Sequence, residues 1–361
     1  MQIVASNQNQ QPQSIPIKLG TSGGNASDST RQGNLIACCG GTLGSLLQRN
    51  GNLYILSNNH VLARSDLAAV GDSITQPGII DANCSTAGTT TVANLSQFVN
   101  LESSGTNVDA AIAQIVPGTV DTSGNILLLG ATASGNTADV GAPHAGNGIG
   151  ATIGEAVGKS GRTTGLTCSS INAIGITTSV SYQRGCNSTS SFSVTFTGQI
   201  SVVFPTGSTF SDEGDSGSLI VDQNTADPVA LLYAGSDSDS VGNPVADVLS
   251  ALADGQGNRP SFAGSASTHK VIGCSLMAAN VTNAQAQSVA SIGADSLAHA
   301  QRALDLHAPE LLANPYIQAV SVGEPQHTRK DSIEISDVFK GWVRERRARE
   351  AARPAPLRFT R

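Results

Sequence analysis

The chain has 361 residues, of which 39% are apolar and only 13% are charged, so it can build a sizeable core without obligatory staples. Residues 1–328 carry 10 Lys and Arg against 22 Asp and Glu, whereas residues 329–361 carry 10 against 5. Because phosphate binding needs a basic face, the acidic main part is not expected to bind nucleic acid. We expect the basic tail to be a solvated or disordered end rather than a membrane-binding segment.

The 39 glycines and the spacing of short apolar runs predict an all-β protein. Residues 1–30 are polar and predict a flexible N-terminal arm with one edge strand at residues 15–19. Asn50-Gly51 lies between two β-type runs and predicts a hairpin. Further runs at residues 108–115, 125–129, 199–204, 218–221 and 230–233 favour a closed β architecture, since closure removes exposed edges.

The pattern changes in the last third of the chain. Residues 244–252 predict a short helix with its proline in the first turn. Residues 284–306 predict a second helix, residues 316–323 a strand, and residues 342–353 a charged helix. No apolar run reaches the roughly 18 residues of a membrane-spanning helix.

The six cysteines are too few for a disulfide scaffold, and none are spaced as zinc ligands. The segment between Cys168 and Cys186 reads as a β-hairpin, which predicts that these two cysteines pair. We also expect Cys39 to pair with Cys84. The alternative is a set of buried free thiols in a reducing cytosol. Cysteine usage and composition favour an extracytoplasmic or secreted protein, although no signal peptide is visible.

Three separate segments carry residues suited to acyl transfer. In Gly214-Asp-Ser-Gly-Ser218, a serine between glycines can expose its hydroxyl while the N–H groups of Gly214 and Ser216 form an oxyanion hole. His60 lies in a polar turn after an apolar strand. Asp109 begins another apolar strand, where a buried carboxylate needs a partner such as an imidazolium. A structural histidine and a carboxylate satisfied by backbone N–H groups are the alternatives.

The order His60, Asp109, Ser216 resembles that of serine proteases of the chymotrypsin fold, because triads on other folds run in other orders. Two longer segments, residues 158–167 and 212–220, resemble bacterial trypsin-like peptidases and the plant narrow-leaf type. The resemblance spans residues 15–252. It implies two perpendicular antiparallel β-barrels with the active site between them and a helical C-terminal extension.

The corresponding domain boundaries are residues 1–30 for the arm, 31–125 and 126–275 for the two barrels, and 276–361 for the helical and basic extension. The resemblance implies that Ser216 is the nucleophile, that His60 is the general base and then acid, and that Asp109 fixes the tautomer of His60. The chain departs from the family pattern in three ways. No cysteine follows His60, Asp109 is followed by Ala-Ala, and no Ile-Val-Gly-Gly N-terminus is present, which leaves the role of Asp215 open.

Tyr233, Ala234 and Gly235 resemble the segment against which such enzymes pair a substrate backbone as an added strand, although an ordinary core strand is an equal alternative. Asp212 and Glu213 are interpreted as a solvated acidic loop rather than as a pocket for basic side chains. Gly158-Lys159-Ser160 fails the phosphate-loop pattern, since Ile153 stands where a glycine is required.

The sequence therefore predicts a serine endopeptidase that acts on protein or peptide substrates through an acyl-enzyme and needs no metal or cofactor. The alternative is a catalytically silent binding module on a protease fold.

Overall fold

The computed structural model describes residues 8–33, 35–130, 140–204, 209–236, 238–274 and 319–323. Helix α1 is Asn59–Leu62 and helix α2 is Val245–Ala251. The strands, in chain order, are β1 Thr21–Asn25, β2 Ser29–Gln32, β3 Leu35–Cys38, β4 Gly41–Leu43, β5 Ser45–Arg49, β6 Asn52–Ser57, β7 Ser73–Gln76, β8 Thr90–Phe98, β9 Ala111–Ile115, β10 Ile126–Leu127, β11 Val140–Gly141, β12 Ala156–Gly161, β13 Gly165–Gln183, β14 Ser191–Val203, β15 Leu219–Asp222, β16 Pro228–Gly235, β17 Asp239–Pro244, β18 Ser261–Phe262 and β19 Ala319–Gly323.

The first barrel is an antiparallel sheet in the order β18-β5-β6-β9-β8-β7-β1-β4. Its strands β4 and β5 lie near opposite ends of this order, yet only Gly44 separates them along the chain, so the sheet curls back on itself. The N–H of Gly44 donates to the carbonyl of Leu56 in β6 at 3.0 Å. The fully buried side chains of Leu46, Ile55 and Ile112 belong to the core that this sheet encloses.

The second barrel is closed by hydrogen bonds all the way round. Its order is β12-β15-β16-β17-β14-β13, and β12 also pairs with β13, while β19 lies on the outer side of β13. A closed sheet of this kind leaves few free edges. The predicted all-β architecture of two antiparallel barrels is confirmed.

Strands β13 and β14 form one long hairpin that continues beyond the second barrel. The other neighbour of β14 in the barrel, β17, pairs only with residues 200–203, whereas the β13–β14 ladder runs on to Gln183 and Ser191. The predicted hairpin within residues 168–186 is wrong, because residues 165–183 are one strand. Gly175 at φ +67° and the register shifts around it bend this strand without reversing it.

The disulfides are Cys38–Cys84, Cys39–Cys186 and Cys168–Cys274, so both predicted pairings are wrong. Cys168 lies near the start of β13 and Cys186 follows its end, and a strand of that length separates them by tens of ångströms. Adjacent side chains of an extended segment point in opposite directions, and it is Cys38 rather than Cys39 that faces Cys84. Three disulfides are compatible with an extracytoplasmic location.

The structure agrees with three of the other local predictions and differs from one. The Asn50-Gly51 hairpin is confirmed, with both residues at positive φ between β5 and β6. Helix α2, after Pro244, and a strand within residues 316–323 are confirmed. The arm differs from expectation, because Ile17 and Leu19 are fully buried and Thr21–Asn25 is a barrel strand. The predicted helices at 284–306 and 342–353 lie outside the described residues, and among the described helices none has the length and apolar character to cross a membrane.

Candidate active site

His60 is presented by the short helix α1, which begins directly after β6. Asn58 precedes the helix in an extended conformation, and its amide donates to the carbonyl of Asp109 at 2.7 Å. This bond joins the end of β6 to the residues that lead into β9, its neighbour in the first barrel. The side chain of His60 retains 24% exposure, so the imidazole can be reached from solvent.

Asp109 lies against His60 with both carboxylate oxygens engaged. The Nδ1 of His60 is 2.5 Å from Oδ2, and the backbone N–H of His60 donates to Oδ1 at 3.2 Å. The Asp109 side chain has no solvent exposure. Burial lowers the pKa of His60, whereas the charge of Asp109 and its hydrogen bond raise it. The raising effects win, so the pKa of His60 lies above the ordinary 6.5.

The second barrel also contributes to holding Asp109. The side-chain carbonyl of Asn243 in β17 accepts the Asp109 N–H at 2.9 Å, and the Asn243 amide donates to Gln199 in β14 at 2.6 Å. All three residues are buried. The backbone of Asp109 is therefore held by both barrels, through Asn58 on one side and Asn243 on the other.

Ser216 lies in a turn whose backbone requires glycine. Gly214 and Gly217, on either side, both have φ +93°. A Cβ at Gly214 would lie 2.4 Å from Nη1 of Arg162, and one at Gly217 would lie 2.1 Å from Oγ of Ser57. Conformation and space together therefore exclude side chains at both positions.

The turn that carries Ser216 is fastened to the first barrel close to His60. The Ser216 carbonyl accepts a hydrogen bond from the N–H of Thr42 at 2.9 Å. A Cβ on Gly41 would lie 2.9 Å from that carbonyl and 2.6 Å from Cγ2 of Val61, the residue after His60. Gly41 thus fills the space between the Ser216 backbone and helix α1.

The hydroxyl of Ser216 donates to the carbonyl of Tyr233 at 3.5 Å and makes no hydrogen bond to His60 among the described residues. The N–H groups of Gly214 and Ser216 have no acceptor within the described part of the chain. Two unpaired amide donors beside a serine hydroxyl are the arrangement that can bind a developing oxyanion.

Asp215, between these two amides, forms an ion pair with Lys159, a residue to which the sequence assigned no role. Lys159 Nζ lies 3.2 Å from Oδ2 of Asp215, and neither side chain is exposed. Burial lowers the pKa of Lys159 in spite of this carboxylate. Asp215 also accepts the N–H groups of Thr163 at 2.8 Å and Thr164 at 3.1 Å. Its open role is thus filled by an internal cation and by backbone donors.

Several residues of the 158–167 segment lie against the side chain of Asp215. Strand β12 ends at Gly161, where a Cβ would lie 2.6 Å from Oδ1 of Asp215. Arg162 then forms two hydrogen bonds of 2.7 Å to the carboxylate of Asp81 in the first barrel. No local sequence signal links Lys159 with Asp215, because 56 residues separate them.

The predicted substrate segment lies at the end of β16. Leu232 is the last residue there that exchanges backbone hydrogen bonds with the Ser216 turn, through Gly217 and Ser218. The ring of Tyr233 is buried, Ala234 is half-buried and Gly235 is exposed. Among the described residues of this segment, Tyr233 is the one whose carbonyl accepts a hydrogen bond from the Ser216 hydroxyl.

In the predicted acidic loop, backbone N–H groups donate hydrogen bonds to the carboxylates of the same loop. Asp212 accepts the N–H of Glu213 at 2.8 Å, and the Asp212 N–H donates to Asp215. Glu213 is exposed. Within the described residues, no cluster of three or more His, Cys, Asp or Glu side chains is arranged to hold a metal ion.

No protein-family model matches the chain, and neither does the sequence of any curated protein. Three solved structures to which it is similar are a glutamic-acid-specific serine protease, Cellulomonas bogoriensis chymotrypsin and Thermobifida fusca protease A. The identities are 16%, 19% and 15%, and the TM-scores are 0.42, 0.37 and 0.39. The matches cover 65%, 60% and 67% of this chain and 97%, 88% and 98% of the others.

Proposed function

We propose that the protein is a serine endopeptidase that uses His60, Asp109 and Ser216 to hydrolyse peptide bonds through an acyl-enzyme. The observation that carries the proposal is the buried Asp109 carboxylate, which lies 2.5 Å from Nδ1 of His60. That contact fixes the tautomer whose Nε2 is free to accept a proton. The N–H of Thr42 in β4 donates to the carbonyl of Ser216, and this bond fastens the Ser216 turn to the first barrel.

In the proposed reaction, Nε2 of His60 takes the proton of Ser216 as Oγ attacks the scissile carbonyl. The N–H groups of Gly214 and Ser216 stabilise the oxyanion, and His60 then gives its proton to the leaving amine. Water repeats the sequence on the acyl-enzyme to release the second product. Ser216 must first leave its bond to Tyr233, and catalytic hydrogen bonds are often absent or long before substrate is bound.

The end of β16 is the proposed binding segment for the substrate backbone. Residues 233–235 lie directly after the last backbone bond between this strand and the Ser216 turn. An extended peptide added there would bring its scissile carbonyl beside Ser216. Because the Tyr233 ring is buried, this residue would take part through its backbone.

The second candidate is a binding module that keeps the fold without the reaction. The bond from Ser216 to Tyr233, in place of one to His60, favours it. Both candidates predict peptide binding, but only the enzyme predicts covalent chemistry at Ser216.

A fluorophosphonate probe distinguishes the two candidates. We expect it to label the wild-type protein and not Ser216→Ala, with a peptide or ester substrate hydrolysed only by the former. The matched control is Ser123→Ala, because Ser123 is an exposed serine in a turn that follows Val120 and lies outside the Ser216 segment. If the wild-type protein stays unlabelled, or Ser216→Ala retains turnover, the endopeptidase proposal is wrong.

A further inference from the structure

Tyr182, a residue far from the three motifs in sequence, touches the buried carboxylate of the candidate site. Its hydroxyl donates to Oδ2 of Asp109 at 2.9 Å, and this is the same oxygen that faces Nδ1 of His60. The Tyr182 and His60 rings lie 5.9 Å apart between centroids. One carboxylate oxygen thus accepts from the imidazole and from a phenol.

Tyr182 reaches Asp109 because the β13–β14 hairpin extends beyond its own barrel. Opposite Tyr182 in the ladder is Phe192, whose ring stacks on it at 5.6 Å, and Phe196 meets its edge at 6.3 Å. The phenol is buried, which, together with the charge of Asp109, raises its pKa well above 10. It therefore stays protonated and acts only as a donor.

Contacts at two places fix to the first barrel the part of the β13–β14 hairpin that extends beyond the second barrel. At the tip, Cys186 is bonded to Cys39, and Arg184 pairs with Glu102. At the base, Asn107 exchanges hydrogen bonds with the backbone of Thr197 at 2.7 and 2.9 Å. Asn107 stands two residues before Asp109, so the same contact positions the hairpin and the carboxylate.

We infer that Tyr182 is a positioning residue that acts through Asp109 to orient His60 and to set its basicity. The inference rests on the proposed function. The phenol holds Oδ2 toward Nδ1 and takes up part of the carboxylate charge. Without that donor, the carboxylate keeps its contacts with His60 and stabilises the imidazolium more strongly, but it is held less firmly in the orientation that presents Nε2 to Ser216.

Other ionisable groups face this arrangement and must be considered in any titration. Asp28, whose own pKa burial raises, acts on His60 and is paired with Arg64 at 3.7 Å. Tyr233 and Asp66 act on Tyr182. None of these groups donates a hydrogen bond to Asp109, so removal of the Tyr182 hydroxyl changes the carboxylate's donors and leaves the neighbouring charges unaltered.

The test replaces Tyr182 with Phe, which keeps the ring among Phe192 and Phe196. We expect kcat to fall roughly ten-fold with KM unchanged. The acid limb of the pH profile and the NMR titration of the His60 ring should both move up by about half a pH unit or more. The matched control is Tyr54→Phe, since Tyr54 lies buried in β6 with its ring under Arg49, and it should match the wild type in both readouts.

Site-specific 3-fluorotyrosine at position 182 supplies a variant that keeps the hydroxyl. A more acidic phenol is a stronger donor, so the His60 titration should move down instead of up. A purely structural role for the ring predicts no shift in either direction. If Tyr182→Phe titrates and turns over like the wild type, the inference is wrong while the proposed function stands. If the wild type shows no labelling, the proposed function is wrong, and the His60 titration alone decides whether Tyr182 acts on Asp109.

Discussion

Lys159 and Asp215 form an ion pair from which solvent is entirely excluded, directly beneath the turn that carries Ser216. Removal of one partner from a buried pair leaves an uncompensated charge, which costs more than the pair itself contributes. The pair therefore makes the shape of the Ser216 turn depend on a residue at a distant point of the sequence.

For Lys159→Ala we expect the free energy of unfolding to fall by about 3–5 kcal/mol, with loss of probe labelling at Ser216. Denaturant unfolding measures the first and the fluorophosphonate the second. Lys18→Ala is the control, because Lys18 pairs with Asp121 at a partly exposed position, where loss of one partner costs less than in a pair from which solvent is excluded. An equal loss of stability in both variants would contradict the interpretation.

The charge of Asp109 predicts the pH dependence of activity. A general base must be neutral, and the pKa of His60 lies above 6.5, so the acid limb of kcat/KM should also lie above 6.5. In Asp109→Asn the larger of the two charge effects that raise the pKa is gone, and burial is opposed only by the charge of Asp28, so the pKa of His60 should fall below its wild-type value. NMR titration of the ring measures both values.

Asp227→Asn is the matched control for that titration. Asp227 lies 2.6 Å from Nδ1 of His144, in a second His–Asp contact away from Ser216. The substitution should leave the titration of His60 unchanged. A His60 pKa that does not respond to Asp109→Asn would show that the contact has no electrostatic effect.

The backbone of Gly214 provides a prediction about the proposed oxyanion hole. Gly214→Ala places a Cβ at positive φ and against Arg162, so the amide must move. We expect kcat to fall by about a hundred-fold with little change in KM. Gly51→Ala introduces similar strain at φ +76° with no atom within 4 Å, and its kcat should equal that of the wild type. A rise in KM with kcat unchanged in Gly214→Ala would contradict the assigned role.

The Cys39–Cys186 disulfide should matter for turnover although neither cysteine lies at the site. In Cys39→Ser/Cys186→Ser the hairpin tip keeps the Arg184–Glu102 pair, which is exposed and contributes little. We expect kcat to fall about as far as in Tyr182→Phe, and no further when the two changes are combined. Measurement of kcat for Tyr182→Phe, for Cys39→Ser/Cys186→Ser and for the variant that combines all three changes tests this.

Cys168→Ser/Cys274→Ser supplies the comparison. That bridge joins the start of β13 to residue 274 and does not hold the hairpin tip. Both pairs of substitutions should lower the melting temperature, since loss of a disulfide typically costs about 2–5 kcal/mol. Only loss of Cys39–Cys186 should lower kcat, and equal kcat values would contradict the proposed link to Tyr182.

The sequence predicted those features that depend on residues close together in the chain. Two positive-φ residues at Asn50 and Gly51 specify a tight turn, and Pro244 starts α2, so both elements were predicted correctly. The contact between His60 and Asp109 spans 49 residues, and it could be predicted only because the order His60, Asp109, Ser216 resembles that of a known family. The structure brings these two side chains together, while the catalytic roles of all three motif residues stay predictions.

The features that the sequence did not reveal depend on which distant segments meet. Residues 168–186 look like two short strands of a hairpin, yet residues 165–183 form one continuous strand, which places Cys186 far from Cys168. Lys159 and Tyr182 carry no local pattern, since their partners are chosen by barrel closure and by the overhang of a hairpin. Such choices arise from tertiary packing and leave no periodicity to read.

The neighbouring cysteines 38 and 39 tie the end of the β2–β3 hairpin to two different parts of the chain, Cys84 and Cys186. Ser29 lies opposite Cys38 in this ladder. A slip of one residue would turn each side chain to the other face and offer Cys39 to Cys84 and Cys38 to Cys186. The two native bridges are therefore compatible with one alternation of side chains at residues 38 and 39, the alternation of the observed β2–β3 register.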